Sequence, residues 1–139
     1  MLLYITLFGL TATFIAKLLV TAFAAILMLQ SGIDKVQHYQ GNKAWLTDFF
    51  KASPLRNTVG ILMPAITVLE LAAGVFSAVG LVMMLLSGDE QLAFIGVLLT
   101  AKCFLCLFFG QRIAKDYAGA GSMTVYFVFG LFSLYLFSL

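Results

Sequence analysis

Val59–Ser87 reads VGILMPAITVLELAAGVFSAVGLVMMLLS, and its reading decides the fold. Glu70 is the only ionisable side chain in it. The run exceeds the roughly 18 apolar residues that mark a membrane span. Its second half is studded with small residues: Ala72, Ala73, Gly74, Ser77, Ala78 and Gly80. The pairs Ala73/Ser77 and Gly74/Ala78 have the small-x-x-x-small spacing that lets another helix approach closely. Pro64 removes one backbone donor about one turn before Glu70 and predicts a kink beside the carboxylate. A helix this apolar on every side, with small residues and one acid, belongs in a membrane bundle.

Three more apolar runs extend the pattern outward, at residues 4–30, 91–109 and 123–139. Of the 139 residues, 63% are hydrophobic and only 10% are charged, so a water-soluble domain would have no surface to show to solvent. The first run has no basic residue ahead of it, as a secretory signal would, and is read as a retained span. SGDEQ (87–91) predicts a tight turn, making the second and third spans a hairpin. DYAGAGS (116–122) predicts a break before the fourth. The expected fold is all-α, a single domain over 1–139. It is an antiparallel bundle of four transmembrane helices, with spans at 4–30, 59–87, 91–109 and 123–139.

Charge sets the orientation. The first connection carries Lys35, Lys43, Lys51 and Arg56, and the third carries Arg112 and Lys115. The second has Asp89 and Glu90 and no basic residue. Lysine and arginine in short loops stay in the cytoplasm, so both termini and the acidic turn are expected outside, a topology that fits a bacterial inner membrane. Within the first connection, Trp45, Leu46, Phe49 and Phe50 recur at helical spacing opposite Lys43, Asp48 and Lys51. They predict a short interfacial helix at about 43–51, anchored by Trp45, Phe49 and Phe50 and ended by Pro54.

Lys17, Glu70 and Lys102 fall inside apolar runs, where an ionised group costs about 2.5–3.5 kcal/mol and needs a partner or a polar cavity. Glu70 is the acid among them, and it is expected to pair with Lys102, Lys17 or both. Such a pair either fixes helix order or serves proton or ligand chemistry through Glu70, which makes Glu70, Lys102 and Lys17 the candidate catalytic groups. TAKCFLCLFFG (100–110) adds Cys103 and Cys106 on one helical face. Buried thiols pack as small hydrophobes, and that is the expectation here; thiol–disulfide exchange is the alternative. His38 stands alone, without ligands at metal spacing, so no metal site is expected. A dispersed net charge of +2 argues against a nucleic-acid partner. No motif for a covalently bound cofactor is present.

SGIDKV at the end of the first span, followed by GILMPAITVLELAAGVFSAVGL in the second, resembles the DoxX family of small four-helix membrane proteins. That family shows a basic residue early in the first helix, G-x-x-K at its end, and E-x-x-x-G with a later glycine in the second helix. The corresponding residues are Lys17, Gly32, Lys35, Glu70, Gly74 and Gly80, and the likeness covers residues 10–85. The resemblance implies an integral membrane protein linked to thiosulfate–quinone oxidoreduction or to membrane redox complexes. The expected partners are the lipid bilayer and a membrane-protein complex or further copies of the chain. The expected role is a non-catalytic accessory subunit, inactive as an enzyme by itself. The alternative is a quinone-linked oxidoreductase subunit using Glu70 with Lys102 or Lys17.

Overall fold

The computed structural model describes residues 6–139. A two-stranded hairpin, β1 (Thr6–Leu7) and β2 (Leu10–Thr11), leads into five helices: α1 (Ala12–Gln37), α2 (Tyr39–Phe50), α3 (Val59–Ser87), α4 (Gln91–Ile113) and α5 (Tyr117–Leu136). Four of them, α1, α3, α4 and α5, are long and apolar enough to cross a membrane, and the chain is a membrane protein.

Short polar residues set the helix ends. Thr11 accepts a hydrogen bond from the Phe14 amide at 3.1 Å and starts α1. α3 stops at Gly88, whose φ of 75° is the left-handed conformation glycine adopts freely. Asp116 accepts from the Gly119 amide at 3.0 Å and starts α5.

These caps move several boundaries. The first span, expected at 4–30, is a helix from Ala12 to Gln37, and residues 4 and 5 lie outside the described residues. Its polar end, Gln30 to Lys35, stays helical because Ser31 and Lys35 turn towards α3. The third span, expected to end at 109, continues to Ile113. The fourth begins at Tyr117, not 123, because the Asp116 cap draws the small residues of AGAGS into the helix. α2 covers Tyr39–Phe50 rather than 43–51, so its end precedes Pro54. α3 covers the residues quoted at the outset.

α3 is the centre of the packing, touching α1 on one side and α4 on the other, while α5 closes against α4. Glycines set the distances. A Cβ on Gly74 would lie 2.8 Å from the Leu29 amide nitrogen, and one on Gly32 would lie 2.7 Å from the Leu71 side chain. Gly80 meets the Ala93 backbone and Gly96 meets the Ser77 backbone. Along both seams residue numbers rise on one helix as they fall on the other. Met28, Ala73, Cys103 and Phe104 form a buried cluster where α1, α3 and α4 converge.

Candidate functional sites

Ser31 and Lys35 lie four apart on α1, hence on one face. That face meets α3 at Glu70, which is only 1% exposed. Lys35 Nζ donates to Glu70 Oε2 at 2.9 Å and to Oε1 at 3.2 Å, and Ser31 Oγ donates to Oε2 at 2.9 Å. Lys35 Nζ also donates to Ser31 Oγ at 3.0 Å, closing a triangle. The carboxylate thus has both oxygens occupied and a cation beside it, the condition under which a buried charge is tolerated. Its neighbours Gly32 and Gly74 allow the two backbones close enough for these bonds to form.

This corrects the expected pairing. Glu70 pairs with neither Lys102 nor Lys17. Lys102 is exposed on the outside of α4, because the inward position at that level is taken by the adjacent Cys103, which is fully buried. Lys17 is buried at the opposite end of α1, where Nζ bonds Glu90 Oε2 at 2.9 Å and lies 5.6 Å above the Phe137 ring. One lysine therefore ties α1 to the N-cap of α4 and to the end of α5. Lys35 as the partner of Glu70 and Glu90 as the partner of Lys17 were both missed. The signal for the first was the Ser31/Lys35 spacing on an α1 that continues past residue 30.

The two cysteines part company. Cys103 is in the central cluster, whereas Cys106 is exposed and both thiols are free. His38 Nδ1 lies 3.2 Å from Asp34 Oδ1 on an exposed surface. Among the described residues no group of three or more potential metal-binding side chains occurs.

A second feature lies where α2 crosses the start of α3. Phe50, Val59 and Met63 form a small buried cluster that fastens α2 to α3. Trp45, at the opposite exposed edge of α2, stacks on Phe49 with ring centroids 5.0 Å apart. Between α2, α3 and α4 opens a cavity of about 680 Å³, lined by Trp45, Phe49, Ile66, Leu69, Cys106 and Gln111. That volume suits a small organic ligand. The wall is apolar except at the end of α4, where Gln111 and Asp116 converge. Gln111 Oε1 is buried and has no hydrogen-bond partner among the described residues. Glu70 is not part of this wall; its neighbour Leu69 is. Trp45, Phe49 and Phe50, expected as anchors, thus divide between groove wall and packing against α3.

No protein-family model, curated protein or solved structure matches the chain.

Proposed function

We propose that the protein is an antiparallel four-helix transmembrane bundle, with α2 lying in the membrane interface, that acts as a non-catalytic accessory subunit of a larger respiratory or redox membrane complex. The supporting observation is the state of Glu70. Glu70 is 1% exposed and accepts three hydrogen bonds, two from Lys35 and one from Ser31, which is the state of a carboxylate that joins two helices and not of one open to a ligand. It serves as a staple between α1 and α3. The DoxX-like residues Gly32, Lys35, Glu70 and Gly74 fall on that one seam, which gives the pattern a packing role. Extraction from the native membrane in mild detergent, followed by mass spectrometry, tests the reading. A stoichiometric protein partner is expected; a chain that runs alone overturns it.

The groove favours a second reading, a quinone-linked subunit whose ligand enters beneath α2. A quinone would place its tail against Ile66 and Leu69 and its head near Gln111, where the amide can donate to a quinone carbonyl or accept from a quinol hydroxyl. Glu70 and Lys102 take no part, and electrons would pass to a partner. Trp45 is the single tryptophan, so its fluorescence reports on the site. Ala65 also lines the groove, and a phenylalanine there would fill it. Quenching that saturates with a soluble quinone and is lost in Ala65→Phe supports binding in the groove; quenching unchanged by that variant excludes it.

In this orientation the connection containing α2 and the α4–α5 turn face the cytoplasm of a bacterial inner membrane, and both termini face outward.

A further inference from the structure

We infer that Lys102 is the docking point for a transmembrane helix of a different protein, one carrying an aspartate or glutamate at mid-membrane depth. This docking rests on the accessory-subunit reading and gives it a partner chemistry.

Lys102 is the midpoint of α4, and a rise of 1.5 Å per residue puts it ~16 Å from either end. Its side chain is exposed, and it makes no ion pair or hydrogen bond among the described residues, whereas Lys17 and Lys35 are both paired. One and two turns along the same face are Leu105 and Phe109, both exposed. Both also border the groove beneath α2, whose polar groups, Gln111 and Asp116, lie beyond Phe109 at the end of α4, so the surface next to the ammonium is itself apolar. The apolar run of α4 ends at Phe109, seven residues or ~11 Å beyond Lys102; a lysine's four-carbon stem is shorter than that, so snorkelling leaves the ammonium within the apolar layer. An unpaired lysine at a span centre costs about 2.5–3.5 kcal/mol, which a carboxylate at the same depth would offset.

A second copy of this chain cannot supply that carboxylate. The six acidic residues are Asp34, Asp48, Glu70, Asp89, Glu90 and Asp116. Glu70 is buried and already bonded. Asp89 and Glu90 lie in the α3–α4 turn, Asp116 caps α5, and Asp34 and Asp48 lie near the ends of α1 and α2. A symmetric contact through α4 would set two Lys102 side chains against each other. The complementary surface is thus a foreign helix, apolar except for one central acid.

The test uses a defined probe. The labelled protein is placed in phosphatidylethanolamine/phosphatidylglycerol nanodiscs with a polyleucine transmembrane peptide carrying one central Asp, and association is read by energy transfer. About ten-fold tighter association than with the all-leucine peptide is expected. The preference should survive Lys102→Arg and vanish in Lys102→Met, whose helical circular dichroism should be unchanged because the side chain points away from the bundle. Equal association of both peptides, or a preference that persists in Lys102→Met, overturns the docking role. In native membranes, release of Lys102→Met from the complex that holds the wild type supports it. A complex that keeps Lys102→Met overturns Lys102 docking and leaves the subunit reading standing. A wild-type chain that extracts alone overturns the subunit reading, and the peptide preference then decides Lys102 by itself.

Discussion

At Glu70 the two ends of one ion pair have unequal exposure: the carboxylate is 1% exposed and the Lys35 side chain 19%. Removing the cation should therefore hurt more than removing the acid. Lys35→Met strands a buried charge and should destabilise the detergent-solubilised protein by about 3–5 kcal/mol. Glu70→Gln leaves a lysine that can turn towards water, and should cost less. The double variant should recover part of the loss, and thermal unfolding of the three proteins checks the order. Equal losses would mean that shape, not charge, holds the seam. The sequence pointed to Glu70 because it interrupts an apolar run, yet it misassigned the partner. The run-length criterion stopped the first helix at Gln30, where polarity begins, and so left Lys35 in a loop. Polarity inside a bundle is no sign of a helix end when the polar groups satisfy one another.

Among the elements, α3 was the most legible, because nothing polar blurs its ends and Gly88 marks its stop. α1 and α5 were the least legible, because Thr11 and Asp116 act through single cap hydrogen bonds that hydropathy does not register. The stripe of small residues in α3 foretold close packing, and the backbone contacts of Gly80 with Ala93 show where it is tightest. Gly80→Ala must push α3 and α4 apart and should lower stability by about 1–3 kcal/mol. Gly121→Ala, with open space around its Cβ position inside α5, should raise stability by up to about 1 kcal/mol in the same melting assay. The groove had no signature in the sequence at all. It arises only when α2 folds back over α3, bringing Trp45 and Gln111 to one cavity from positions far apart along the chain.

For the whole molecule, the charge pattern makes a directional statement. A fluorescent-protein reporter fused after Lys115 should fold and glow in the cytoplasm, while one fused in the Asp89–Glu90 turn should stay dark; the reverse result would invert the bundle. The same whole-molecule view bears on how the chain is made. Glu70 is synthesised 35 residues after Lys35, a lag of about 2–7 s at ordinary translation rates of ~5–20 residues per second. The lysine and Ser31 are thus already installed when the acid emerges, and α3 can leave the insertion machinery directly onto a waiting counter-ion. Biogenesis has an order built into it: a chain that lost its first helix would have to deliver an uncompensated carboxylate to the lipid.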